Sequence, residues 1–407
     1  MKTEFYQTER RVCMHICLVN EEYPKETSFG GIATYQHILA RELVKRGNRV
    51  TVICKSNVRS QRYIEEGVEV VRIFSKDLNN IDSLINYRMK VKEELENLEK
   101  QGLDIIETPE WGADTIFYLS KGKVPIVTKL HTPLKVWLKY NKSHMSLEIK
   151  EQLLKWEEEL INRSEKVISC TESLKNIVLR EMDITRNDDI EIIPNPAILN
   201  ELGMKKIKSY NQILFCGSLE ERKGVLNLAR VLPSIFKKHS NYKVVFIGKD
   251  TNRNNLNIST QELIKSYVGE EYVDFLEFKG HINNNIIQEE YAKSAVCVFP
   301  SLYENFPYVV LEAMSNGAAI IGSINGGMTE MINDGVSGLL IDPYNLQALE
   351  KAILNVIEDS ECSEIMRNNA RREVERFSSS KIVEQNLRVY QEAIQERRGK
   401  IEQRVLA

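Results

Sequence analysis

Two glutamates, Glu304 and Glu312, stand eight residues apart in PSLYENFPYVVLEAMSNGAAIIGSINGGMTEMINDGVSGLLID, residues 300–342. Glu304 follows an apolar run, and Glu312 is expected about two turns into a helix that opens near Phe306. The N–H groups and positive dipole end of such a helix suit a diphosphate, and flanking carboxylates suit the hydroxyls of a sugar and a ribose. By spacing alone, two solvated acids beside a helix are the commoner outcome. Upstream, FCGSLEERKGV places Gly217 where a chain leaving a buried strand turns, then Arg222 and Lys223 near a helix opening around Gly224. Two cations there neutralise phosphate charge, although a Lys-Gly at a helix start is by itself an ordinary solvated turn. No G-x-x-x-x-G-K-[ST] occurs, so a P-loop is excluded.

The first half carries weaker signals. Gly30-Gly31-Ile32, between Tyr23-Pro24 and a helix over 33–46, lets backbone approach a ligand closely, as any flexible turn does. His131 ends an apolar run and opens HTPL. In IETPEWG, Glu107, Glu110 and Trp111 pair carboxylates with an aromatic platform, which suits a polyhydroxyl acceptor as well as a satisfied loop cluster. KVWLKYNK, 135–142, interleaves lysines with Trp137 and Tyr140; it fits a membrane surface or anionic acceptor, and equally a solvated helix face.

These residues need a frame. Apolar runs at 14–19, 50–54, 68–74, 104–107, 125–131, 166–171 and 190–195 alternate with amphipathic segments, the pattern of parallel strands covered by helices. Ile32, Tyr35, Leu39 and Leu43 form one helical stripe, closed by Gly47. Periodicity lapses over 196–210, where Pro196, Asn200, Gly203 and a lysine cluster read as a linker. The alternation then restarts at 212–217, 243–248, 275–280, 295–301, 319–323 and 338–342, so the class is α/β with two Rossmann-like units. The charged C-terminal helix carries a sparse stripe of Ile382, Leu387, Tyr390 and Ala393 that needs a surface to pack on.

The bulk numbers agree. At 407 residues the chain exceeds one core of ~150 residues, and 42% hydrophobic with 28% charged residues marks a folded globular protein. A net charge of -3 and a pI near 6.2 give no general attraction for nucleic acid. Seven cysteines without a C-x-x-C pair read as buried thiols in a reducing compartment. No apolar run of about 18 residues occurs, and the opening MKTEFYQTERR is polar, so a cytoplasmic place is expected, with the inner membrane surface left open.

Segment 300–342 resembles the E-x7-E signature of retaining glycosyltransferases of family 4, through Pro300-Ser301, Glu304, Phe306, Leu311-Glu312-Ala313-Met314, Gly317, Gly326-Gly327, Glu330, Gly335 and Gly338. FCGSLEERKGV is similar to the family's G-R-L-x-x-x-K-G clamp: Lys223 matches directly, while Ser218 replaces the Arg and Arg222 is expected to restore its charge. Pro307 stands where the family often has Gly and offers no N–H. The resemblance implies a GT-B fold: an acceptor domain at 1–197, a nucleotide-sugar domain at 198–377, a cleft between them, and a helix over 378–407 packing back on the first. It implies retaining transfer from a nucleoside-diphosphate sugar to a hydroxyl of a glycan, lipid-linked or small-molecule acceptor, with neither metal nor other cofactor. Catalysis would fall to His131, Arg222, Lys223 and Glu304, and donor binding to Gly30, Gly31, Gly217, Gly248, His281, Asn305, Phe306, Val309 and Glu312. Acceptor contacts would fall to Glu107, Glu110 and Trp111. The rivals are a nucleotide-sugar epimerase of the same fold and a non-catalytic partner subunit; a dinucleotide oxidoreductase lacks its G-x-G-x-x-G.

Overall fold

The structure, a computed structural model, describes residues 13–27, 30–76, 78–143, 145–186, 189–199, 211–252 and 254–406. The polar leader up to residue 12 and the linker positions 200–210, with Asn200, Gly203 and the lysine cluster, lie outside the described residues.

The first half builds an eight-stranded sheet from β1 (His15–Val19), β2 (Arg49–Ser56), β3 (Gln61–Glu65), β4 (Val68–Phe74), β5 (Ile105–Pro109), β6 (Ile126–Leu130), β7 (Lys166–Ser169) and β8 (Ile190–Ile192), in the order β3-β4-β2-β1-β5-β6-β7-β8. All pairs are parallel except β3 with β4. The second half builds a six-stranded parallel sheet from β9 (Gln212–Cys216), β10 (Lys243–Ile247), β11 (Leu276–Gly280), β12 (Val296–Phe299), β13 (Ile320–Ser323) and β14 (Leu339–Ile341), in the order β11-β10-β9-β12-β13-β14. Strands such as β5, β6, β9 and β12 are buried along their whole length, because helices cover both faces of a parallel sheet.

Every strand expected from the apolar runs is present, and β3 is an addition. Its residues alternate between half-buried and exposed at the sheet edge, so their polar letters hide the strand. Glu66 and Gly67 form its two-residue turn, both with positive φ (50° and 82°). Helix Gly31–Lys45 buries Tyr35, Leu39 and Leu43 as the stripe requires. At its end Gly47, φ 84°, donates to the Val44 carbonyl and Asn48 N–H to that of Leu43, a Schellman closure.

The chain passes between halves twice, and the crossings are paired: Ala197 N–H donates to Phe377 O at 2.7 Å, and Ser379 N–H to Ala197 O at 3.2 Å. Helix Ser379–Leu406 then returns to the first half. Ile382, Val383, Val389, Tyr390 and Ala393 are buried there against Tyr35, Leu39, Val52 and Ile105. This is the partner the sparse stripe needs. Cys13 and Cys362 are exposed, and Cys17, Cys54, Cys170, Cys216 and Cys297 are buried; all seven are free thiols. Among the described residues no helix is long and apolar enough to cross a membrane.

Candidate active site

In a doubly wound sheet, ligands bind beyond the carboxyl ends of the strands where the winding reverses. In the second half the chain runs outward through β9, β10 and β11, then returns to β12 and runs the other way, so the reversal lies between β9 and β12. The loops leaving these two strands carry Arg222 and Lys223 on one side and Glu304 on the other. A 3-10 turn, Glu221–Lys223, presents the two cations and ends at Gly224 in the left-handed region, φ 70°. A Cβ on Gly224 would sit 1.7 Å from Pro300 O, so only glycine lets the cationic turn lie against the exit of β12. Arg222 O accepts from Leu302 N–H at 2.8 Å, which fastens the two loops together.

The charges converge on one carboxylate. Arg222 Nη1 donates to Glu304 Oε1 at 2.6 Å and to Tyr303 O at 3.1 Å, and Lys223 Nζ bonds the same Glu304 oxygen. Arg222 Nη2 donates to Glu220 Oε1 at 2.7 Å, a buried counter-ion that the sequence reading passed over. Burial would push the Glu304 carboxyl up, but Lys223 and Arg222 outweigh it and hold it down at about 2. Arg222 thus stands beside Lys223 on the same carboxylate oxygen. Glu304, expected to face a sugar, is here the counter-ion of the clamp.

Helix Tyr308–Ser315 begins two residues later than expected, with Pro307 as its cap in extended conformation. The ring of Pro307 disfavours helical backbone at Phe306, which moves the start forward. Glu312 is thus the fifth helical residue, about one turn along instead of two. No side chain caps this N-terminus. Glu312 accepts from Tyr291 OH at 3.1 Å. Burial raises its carboxyl to about 7, with the Tyr291 bond pulling the other way. Gly217, Gly248 and His281 follow the ends of β9, β10 and β11 on the same sheet edge, and Val309 is half-buried in the first turn of the helix.

In the first half the reversal lies between β1 and β5. Gly30 caps helix Gly31–Lys45 just beyond β1, and a Cβ on it would meet Glu22 Oε2 at 2.6 Å, whereas Gly31 faces open space. His131, at the end of β6, packs edge-on against Tyr35 with ring centroids 4.9 Å apart. Burial and then the Lys129 charge lower its pKa well below the usual value, so the imidazole is neutral.

The expected acceptor carboxylates are interior. Glu107 is 1% exposed and accepts from Tyr390 OH of the C-terminal helix at 2.6 Å. Glu110 is fully buried, and both its oxygens accept from His131 N–H at 2.9 Å. Glu107 lies on β5, which is buried along its length, and Glu110 just beyond it, so neither carboxylate reaches the surface. Trp111 is half-buried, edge-on to Trp137 at 5.9 Å. Of the lysines of 135–142, Lys135 lies 3.6 Å from Glu158, Lys139 pairs with Glu181, and Lys142 is exposed.

Contacts across the cleft hold Asn305, expected on the donor, and Glu330 of the same motif. Asn305, buried, donates through Nδ2 to His131 O and Thr132 Oγ1, both at 2.5 Å. Within the second half Phe306, also expected on the donor, packs edge-on against Phe377, centroids 5.5 Å apart. Glu330 accepts from Glu172 N–H at 2.8 Å and Ser173 N–H at 2.9 Å, capping helix Glu172–Glu181 of the other half.

The sequence profile described as Glycosyltransferase Family 4 matches residues 29–201, and that described as Glycosyl transferases group 1 matches residues 203–373. The chain is 28% identical to an uncharacterized glycosyltransferase of Methanocaldococcus jannaschii, over 94% of this chain and 99% of that one. It is 24% identical to a glycogen synthase of Mycobacterium tuberculosis, over 85% and 86%. Among solved structures, sucrose-phosphate synthase from Thermosynechococcus elongatus superposes with a TM-score of 0.77 at 20% identity, covering 93% of this chain and 98% of that one. Anabaena HepE in complex with UDP-glucose gives 0.68 at 17%, covering 93% and 100%. With both halves matched in order and the two facing Rossmann-like sheets in place, the chain is a glycosyltransferase with the GT-B fold and belongs to family 4.

Proposed function

We propose that this enzyme transfers a sugar from a nucleoside-diphosphate sugar to a hydroxyl acceptor, with retention at the anomeric carbon and without a metal ion. The donor is held by the half at 198–377 and the acceptor by the half at 1–197. The carrying observation is the convergence of Arg222, Lys223 and Glu304 at the β9/β12 reversal, beside the uncapped start of helix Tyr308–Ser315. The UDP-glucose bound to HepE, which shares the fold, supports this donor class.

In this reading the donor diphosphate takes the two cations from Glu304 and receives N–H groups at the helix start. Glu304, released, accepts hydrogen bonds from sugar hydroxyls, and Glu312 accepts from the ribose. As the bond between the anomeric carbon and the phosphate oxygen breaks, its electron pair goes to the diphosphate, where Arg222 and Lys223 stabilise the charge. The acceptor hydroxyl attacks from the same face, its proton passing to the departing phosphate oxygen. Charge neutralisation by two fixed cations makes a divalent ion unnecessary. Thermal shift against nucleoside diphosphates identifies the base, and NMR of the product from the matching donor, with and without EDTA, reads the anomer. An inverted product, or activity that vanishes with EDTA and returns with magnesium, overturns this mechanism.

A further inference from the structure

Positions 303–305 alternate in what they grip. Tyr303 stacks its ring on Tyr140 of the other half, centroids 4.5 Å apart and planes 2° from parallel. Glu304 turns to the clamp within its own half. Asn305 crosses again, to His131 O and Thr132 Oγ1. Its amide has one workable orientation: the His131 carbonyl has no hydrogen to give, so Nδ2 must face it, and Oδ1 is then left for Tyr303 OH, which donates at 2.5 Å. The backbone is fixed from behind, since Glu304 O accepts from Gly327 N–H at 2.9 Å. Cβ atoms on Gly326 and Gly327 would lie 2.1 Å from Glu304 O and 1.7 Å from Asn305 O. The carboxylate of Glu304 is therefore carried between two residues tied to the opposite half, Tyr303 at Tyr140 and Asn305 at His131, the residue after β6.

We propose that Asn305 is a positioning residue and not a donor contact: its amide couples approach of the two halves to the placement of Glu304 opposite His131. The inference rests on the functional reading above, because Glu304 must act on the sugar for its placement to matter. In that reading Arg222, Lys223 and Glu312 of the second half hold the donor phosphates and ribose, so nucleotide binding does not need this link, whereas the reacting geometry does.

The test compares Asn305→Ala and Asn305→Asp with the wild type in donor turnover, in calorimetric affinity for the free nucleoside diphosphate, and in small-angle scattering. Asn305→Ala should lower kcat by roughly 30-fold, within the 100-fold that a misplacement of about 1 Å costs. Nucleoside diphosphate affinity should stay within about twofold, because the clamp is untouched. Asn305→Asp should be worse than Ala, since it sets a carboxylate against the His131 carbonyl. An unchanged kcat, or affinity falling in parallel with kcat as general misfolding gives, overturns the proposal. Should Asn305→Ala not fold, Thr132→Val reads the same link from the other side and must lower kcat in the same sense. If the wild type binds no nucleotide, the functional reading fails first; scattering still decides the link, since a radius of gyration identical in Asn305→Ala and wild type removes it.

Discussion

At the scale of single residues, the two cations are neutralised by carboxylates of their own half. Glu220 and Glu304 balance Arg222 and Lys223, and the pull of the cations on Glu304 is strong enough to hold its carboxyl at about 2 against burial. In the proposed function a diphosphate would compete with Glu304 for the same donors. Removing the competing charge should therefore split affinity from rate: Glu304→Gln binds nucleoside diphosphate more tightly than wild type yet loses kcat by about 100-fold. Lys223→Ala, by contrast, loses roughly 2 to 4 kcal/mol of transition-state stabilisation and binds the diphosphate more weakly. Calorimetry beside steady-state kinetics checks both; weaker binding by Glu304→Gln would show that the carboxylate does not compete. Glu312 gives a further prediction. Burial lifts its carboxyl to about 7, so it is largely neutral below that pH and ionises as pH rises through it. An ionised carboxylate is the better acceptor for ribose hydroxyls, so affinity for a nucleoside diphosphate should rise from about pH 6 to about pH 8. The rise should be smaller in Glu312→Gln, and an identical pH profile in the two proteins would remove the ribose role.

At the scale of elements, the loop after β13 joins the two halves. Gly326 and Gly327 make room for the backbone of 304–305, and a Cβ on Gly327 would also meet Thr171 Cγ2 of the other half at 2.6 Å. Three residues on, Glu330 places its carboxylate on the first N–H groups of helix Glu172–Glu181, where the dipole is positive, while Thr171 caps Leu174 N–H at 3.1 Å. The helix thus has two caps, one from each half. Glu330→Ala should cost about 1 kcal/mol in chemical denaturation, the usual worth of a cap. It should also speed amide exchange at Glu172 and Ser173, and unaltered exchange there would mean that the cap contributes nothing.

At the scale of the whole molecule, the C-terminal helix joins the halves through a buried polar contact as well as an apolar stripe. Tyr390 OH donates to Glu107 in the centre of the first half, next to Lys129, whose ammonium bonds Ile193 O and lies 5.2 Å from the Tyr35 ring centroid. Burial pushes Lys129 down to about 8 and raises the Glu107 carboxyl, so this polar core depends on every bond it makes. Tyr390→Phe keeps the packing and removes one donor from a buried carboxylate. It should lower unfolding free energy by about 1 to 3 kcal/mol, measured by denaturant titration, and a stability equal to wild type would show that Glu107 finds another partner.

Strand and helix order, the two sheets and the clamp letters were legible because period-2 and period-3.6 apolar patterns are local properties of the chain. Family resemblance supplied the pairing of Lys223 with Arg222, and the closeness of β9 and β12 carried it into space. What local pattern does not contain is which faces meet. Glu107 and Glu110 read as a polar pair at a strand end, yet packing of the C-terminal helix and the His131 loop turned both inward. Asn305 and Glu330 sat in a donor-like motif but reach across the cleft, more than 150 residues away in the chain. A side chain's partner at that separation is set by how two independently patterned halves dock. Sequence determined the sheets and the residues at their carboxyl ends; tertiary structure alone decided which of those residues face the cleft, which are buried, and which hold the two halves together.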